Sequence, residues 1–387
     1  MSDLKIIQDG MLVITDGIIS YVGKTSDKYI PENSGNYEVI DAKGKAVLPG
    51  FIDSHTHFVF GGYREEEFSW RMKGDSYMSI MNRGGGIYNT VNATKKATHV
   101  ELKILAKQRL DKMLAMGVTT VEGKSGYGLD KETELKQLRV MKELNAEHPV
   151  DIVSTYLGAH ALPKEYNADE MAYIHYMLNE VMPIIKKENL AECCDIFCEK
   201  GVFSTEASRY YLQEAAKMGF GLKIHADEIV NTKGAELAVE LNALSADHLL
   251  QASKEGITAL AKSNTVATLL PNTAFSLKED FAKGREMIDN GCAVALATDL
   301  NPGSSFTSSI PLTIALACIY MKLTPEEAVT GLTINAAAAV GKANSIGSLD
   351  VGKKGDIVIL EFPSYKFLPY HVGMNCVERV IKSKLIN

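Results

Sequence analysis

Long apolar runs are absent from this chain of 387 residues. No stretch approaches the ~18 consecutive apolar residues of a membrane span. The richest apolar segment, residues 310–321, carries Pro311 and Thr313 and reads as a buried helix. The start of the chain has no continuous apolar core, because Asp3 and Lys5 interrupt it, so it does not read as a signal peptide. Positive charge is in deficit: 41 Lys and Arg face 48 Asp and Glu, leaving a net charge of −7. That balance argues against a nucleic-acid or membrane-surface partner, either of which wants a basic face. Cysteine is sparse too. The six thiols (Cys193, Cys194, Cys198, Cys292, Cys318, Cys376) show neither disulfide-scaffold density nor paired C-x-x-C spacing. A soluble, reduced, cytoplasmic protein is the expectation. Nor does a G-x-G-x-x-G follow the first β-prone run, which counts against a dinucleotide-binding sheet.

What is present divides the chain into two patterns. Residues 11–14 and 18–22 are β-prone and flank Asp16-Gly17, a hairpin signal. A segment of about 45 residues cannot easily bury a core alone. The tail resembles its partner: residues 347–356 are turn-rich, and β-prone runs follow at 357–360 and 377–381. One small discontinuous β-sandwich domain, residues 1–47 with 346–387, is therefore expected. Between the ends, residues 48–345 alternate β-prone runs with helix-sized segments. The first run, 46–48, opens into Asp53-Ser54-His55-Thr56-His57; others lie near 118–121, 150–157, 195–198, 220–224, 243–246, 265–270 and 293–297. Asp130 and Ser204 stand where helix N-caps belong, and Gly219 where a helix should end. Eight strands separated by helices predict an α/β fold, a (β/α)8 TIM barrel.

In such a barrel, chemistry gathers at the C-terminal strand ends. Five of the nine histidines fall there: His55 and His57 after the first strand, His160 after the third, His225 after the fifth and His248 after the sixth. Asp299 follows the eighth. Side chains two apart on a strand share a face, so His55 and His57 point together, with Asp53, and two such imidazoles can turn onto one cation.

These residues resemble the pattern of the amidohydrolase superfamily. Within it, several blocks are similar to the imidazolonepropionase family: HTHFVFGGYRE (55–65), GGGI (84–87), KSGYGLDKETELKQLRV (124–140), STYLGAHALP (154–163), GFGLKIHADEI (219–229), SADHL (245–249) and ATDLNPGSS (297–305). The resemblance runs from about residue 40 to 345. It implies one Zn²⁺ or Fe³⁺ ion per subunit, held by His55, His57, His225 and Asp299, with a coordination position left for a water acidified towards ~7. It implies Asp299 as acceptor of that water's proton, His248 polarising the scissile carbonyl, and Glu228 touching the substrate ring and shuttling protons. Arg64 would clamp a propionate carboxylate with its bidentate fork. Tyr127 and His160 would be further substrate contacts, and Asn301, Gly303 and Ser304 would form a turn holding substrate or product.

The implied reaction hydrolyses 4-imidazolone-5-propanoate, a small molecule, to N-formimino-L-glutamate in L-histidine degradation; a homodimer is implied as well. Two departures stand out. The chain is shortened at both ends relative to the family, and Asn272 stands where the family generally has Gly, which predicts a local loop adjustment. Other readings stay open: a mononuclear deaminase of another heterocycle, or a metal-free scaffold barrel. Lys200, after the fourth strand, neighbours the position where two-metal relatives carry a modified lysine, but the implied family is mononuclear. Cys193, Cys194 and Cys198 read as buried strand rather than a thiolate site. Gly84 to Gly86 read as a mobile loop or a tight connection, and the Met and Tyr residues of 171–182 as helical core.

Overall fold

The computed structural model describes residues 1–27, 38–75, 79–80 and 83–385. Two strands, β1 (Gly10–Thr15) and β2 (Ile18–Lys24), form an antiparallel hairpin. Its turn is Asp16-Gly17, with φ of 51° and 76°, the left-handed pair that a tight hairpin favours. Next come β3 (Val47–Pro49) and then the barrel strands: β4 (Phe51–Asp53), β5 (Val118–Lys124), β6 (Asp151–Ala159), β7 (Cys193–Cys198), β8 (Gly221–Ala226), β9 (Ser245–His248), β10 (Val266–Leu269) and β11 (Val294–Leu296). Among the described residues these eight, β4 to β11, make one parallel sheet in chain order. A parallel bridge between Thr56 and Leu300 joins its two edges. Beside that bridge, the His57 N–H donates to Leu300 O (2.9 Å) and the Asp299 N–H to His55 O (3.0 Å). The fold is the expected (β/α)8 barrel.

Both chain ends supply small antiparallel sheets. β12 (Ile357–Leu360) pairs with β13 (Val377–Ile381) on one side and with β3 on the other. The hairpin reaches the tail through Ile19, whose N–H donates to Lys353 O at 2.8 Å. The first β-prone run is thus split. Residues 47–49 belong to the small sheet, and the barrel strand begins only at Phe51. Gly50 makes the switch: a Cβ there would lie 2.2 Å from Thr119 Oγ1, so no side chain fits.

Helices cover the outside of the barrel. Asp130 accepts from the Thr133 N–H and caps Lys131–Glu147; Ser204 accepts from the Ala207 N–H and caps Thr205–Lys217. The apolar segment forms the helix Ile310–Tyr320, entered through Ser309 and Pro311. No helix among the described residues is long and apolar enough to cross a membrane. Tyr173, Met177 and Met182 are buried, as helical core should be. Cys193, Cys194 and Cys198 are free and buried in β7. After β10 the helix Pro271–Leu277 begins, and Asn272 Nδ2 donates to Thr313 Oγ1 at 2.8 Å.

Candidate active site

Continuing β4 past Asp53 brings His55 and His57 to the barrel axis, their ring centroids 5.4 Å apart. Asp53 does not join them. Its carboxylate accepts from the Thr298 N–H (2.9 Å) and hydroxyl (2.6 Å), holding the two edges of the sheet together. His225, on β8, approaches His55 at 4.6 Å and His57 at 5.7 Å between centroids. Asp299 Oδ1 lies 3.6 Å from Nε2 of both His55 and His57, while its Oδ2 accepts from Thr273 Oγ1 at 2.6 Å.

Two of these side chains need unusual backbone. On β9, Asp247 points inward, so strict alternation would turn His248 away. His248 instead has φ of 78°, and its ring comes back to within 5.0 Å of His225. Asp299 has φ of 50°. Left-handed backbone at such residues costs on the order of 1–3 kcal/mol and collects at functional sites.

The donor set fits a metal ion. His55, His57 and Asp299 present ligand atoms within 4.8 Å of one another, as do His55, His225 and His248, and His57, His160 and His225. Nε2 of His55, His225 and His248 is buried without a hydrogen-bond partner among the described residues. Burial first, and then neighbouring positive groups, hold His55, His57 and His225 well below the ordinary histidine range. They are neutral imidazoles, the form that ligates. Imidazole nitrogens with one carboxylate suit zinc or iron.

Around this centre stand the other candidates. His160 stacks on His57 (4.9 Å, 15°), and its Nδ1 lies 3.1 Å from Gly126 O. Tyr127 is buried 5.7 Å from His57 and 5.3 Å from His160. Glu228 Oε1 lies 3.5 Å from His248 Nδ1. Although 17% of its side chain is exposed, burial and the negative charge of Asp299 push the Glu228 carboxyl up to about 8. Asn301 Oδ1 accepts from the N–H groups of Gly303 and Ser304, both at 2.8 Å, which pins the turn. Arg64 lies across that turn: a Cβ on Gly303 would fall 2.2 Å from its Nη1. Its Nε donates to Glu67 Oε2 at 2.9 Å. Glu67 also accepts from the Gly86 N–H at 3.0 Å, so Gly84 to Gly86 form a tight, tethered connection. Lys200 faces solvent, whereas the neighbouring Glu199 is buried and accepts from the Ile229 N–H (2.8 Å), steadying the Glu228 loop.

One layer below lies a group that sequence reading assigned no role: Glu122 and Lys124 on β5, Asp195 on β7, Lys223 on β8 and Asp247 on β9. Every one of these side chains is 0% exposed. The available signal was charged residues alternating within runs otherwise read as core strand. His55 Nδ1 lies 2.6 Å from Asp247 Oδ2, and His225 Nδ1 lies 3.0 Å from Asp195 Oδ2.

Comparison with known proteins gives two kinds of likeness. The model of the Amidohydrolase family matches residues 46–383. An imidazolonepropionase of Parabacteroides distasonis is 61% identical over 99% of this chain and 92% of its own length; one of Clostridium tetani is 59% identical, over 99% and 91%. The zinc complex of the atrazine chlorohydrolase TrzN from Arthrobacter aurescens TC1 shares the fold, with a TM-score of 0.73 at 16% identity, covering 97% of this chain and 89% of that one.

Proposed function

The chain belongs to the amidohydrolase family and, within it, to the imidazolonepropionases, and from that premise we propose how its residues carry the reaction. The activity is hydrolysis of the cyclic amide C–N bond of 4-imidazolone-5-propanoate to N-formimino-L-glutamate, a step of L-histidine degradation. His55, His57, His225 and Asp299 hold one zinc or iron ion per subunit; the supporting observation is their convergence with buried, unpartnered imidazole nitrogens. When bound, such a cation supplies Lewis acidity and a water acidified towards ~7.

Arg64 pairs with the propionate carboxylate and so sets the ring over the histidines. Tyr127 and His160 wall the ring, and the turn of Asn301, Gly303 and Ser304 closes the far side. His248 is neutral, since burial pushes it down to about 4. It donates an N–H hydrogen bond to the carbonyl oxygen as negative charge develops there. Asp299 accepts a proton from the attacking water. Glu228, protonated below about 8, delivers a proton to the departing ring nitrogen. Water is thereby added across the C–N bond, with no redox partner needed. Arg64 is what favours this substrate over an uncharged heterocyclic base, which offers the guanidinium no carboxylate.

The same reading places the enzyme in the cytoplasm as a homodimer, with residues 48–345 as the catalytic barrel and residues 1–47 and 346–387 as the small β domain. The test is a direct assay: loss of substrate absorbance on freshly prepared 4-imidazolone-5-propanoate, before and after exhaustive chelation. Turnover should vanish with the metal and return on adding zinc or iron. Full turnover by metal-free protein would refute the proposal.

A further inference from the structure

The interior of the barrel carries three carboxylates and two ammoniums with no access to solvent. Isolated charges in such a place cost several kcal/mol each, so their arrangement needs an explanation beyond packing. The geometry supplies one. Asp195 Oδ2 accepts from Lys124 Nζ (2.7 Å) and lies 3.0 Å from His225 Nδ1, a close approach without hydrogen-bond geometry. Asp247 Oδ2 is shared among His55 Nδ1 (2.6 Å), Lys124 Nζ (3.6 Å) and Lys223 Nζ (3.6 Å). Glu122 ties the two ammoniums together, with Oε1 2.8 Å from Lys124 Nζ and Oε2 3.0 Å from Lys223 Nζ. Lys223 is further fixed by Ser54 O and Ala339 O, each at 3.2 Å.

Strand geometry makes the layer continuous with the site. Lys223 and His225 lie two apart on β8 and face the axis together. Each lysine therefore touches a carboxylate whose same oxygen faces a histidine Nδ1, while that histidine's Nε2 points to the centre.

We propose that Lys124 and Lys223 are positioning residues. By holding Asp195 and Asp247 in place against the Nδ1 sides of His225 and His55, they fix the orientation of the two rings, and thereby set how tightly the site grips its metal. The inference rests on the reading that those two histidines are ligands. Outer-layer partners of ligating histidines typically contribute 10- to 100-fold in metal affinity.

The test uses the full chain, loaded with Zn²⁺ for affinity and with Co²⁺ for its visible absorption. Affinity is measured by competition with a chromophoric chelator for Lys124→Met, Lys223→Met and Asp247→Asn. Because a lone lysine replacement leaves a buried carboxylate unpaired, the double variant Lys124→Met with Asp195→Asn is made in parallel; it removes both charges of one pair and should fold. Circular dichroism reports the fold. The expected result, in folded variants, is Zn²⁺ affinity ~10- to 100-fold weaker and a shifted Co²⁺ absorption band, a signature that a merely structural role would leave alone. Affinity within twofold of the unaltered chain, with an unchanged Co²⁺ band, would overturn the positioning role. Absence of metal binding by the unaltered chain would instead overturn the ligand assignment, and this proposal with it.

Discussion

Two of the lysine–carboxylate clusters among the described residues are built from the same chemistry and sit at opposite levels of the barrel. The inner one joins Lys124 and Lys223 to Glu122, Asp195 and Asp247 beneath the histidines, wholly shielded from water. The outer one gathers Lys354, Lys382 and Lys384 around Asp151, at the start of β6, with Asp356 also bound to Lys382. Asp151 keeps 16% of its side chain exposed, and Lys354 and Lys384 are about a third exposed. The inner cluster orients imidazoles; the outer one ties the C-terminal segment to the bottom of the barrel. In (β/α)8 proteins the top face carries function and the bottom face stability, and here the same ion-pair motif serves both ends.

The sharpest break between the two is expected at the ligands themselves. Asp299→Ala or His225→Ala should remove the metal and lower kcat by at least ~10³, the scale on which single essential groups act, with the fold retained by circular dichroism. Near-normal turnover in either variant would dissolve the distinction between the levels. Arg64→Ala should raise KM by ~10- to 100-fold while changing kcat less, since a charged hydrogen bond contributes about 1.5–3 kcal/mol. Gly303→Ala, which forces a methyl into the Arg64 guanidinium, should raise KM in the same direction by a smaller factor. An unchanged KM would take Arg64 out of the site.

The pH response offers a third test. Glu228 is raised to about 8, so its proton is available below that value and lost above it. The kcat profile should decline as pH rises through about 8, and Glu228→Gln should lower kcat and abolish that limb. Asp151 behaves oppositely. Burial alone would raise it, but Lys382 and its neighbours outweigh burial and hold it below its ordinary 3.8. Its contribution to stability is present above the unfolded value and is lost as pH falls below about 3.8. Asp151→Asn should therefore lower Tm by the equivalent of about 1–2 kcal/mol, discounted for the exposed lysines, with metal affinity unchanged. A change in metal affinity there would show the clusters are not separate.

The sequence revealed these features unevenly, for physical reasons. Period-two alternation is local, so His55 with His57, and the strand carrying His225, were legible at once. His248 was legible from its place at the end of the sixth strand but not from alternation: its neighbour Asp247 already occupies the inward position, and a left-handed φ brings the ring back. Arg64 was indicated by resemblance alone, since a charged residue on a loop has no pattern; its place becomes clear only when Gly303 lies beneath it. The alternating charges within core strands were the one local sign of the inner cluster; its pairing was not legible, because its members come from β5, β7, β8 and β9, and the outer cluster likewise joins β6 to the distant C-terminal segment. Even the first strand misled at its start, where Gly50 passes the chain from one sheet to another.

Everything said of the top face depends most on His55, His57, His225 and Asp299 being ligands of one ion. Anomalous diffraction at the zinc and iron edges, on crystals of the protein as purified, tests it directly. One peak per chain is expected, within bonding distance of three imidazoles and one carboxylate from these residues. A peak coordinated elsewhere, or none in protein that turns over 4-imidazolone-5-propanoate, would contradict that ligand assignment.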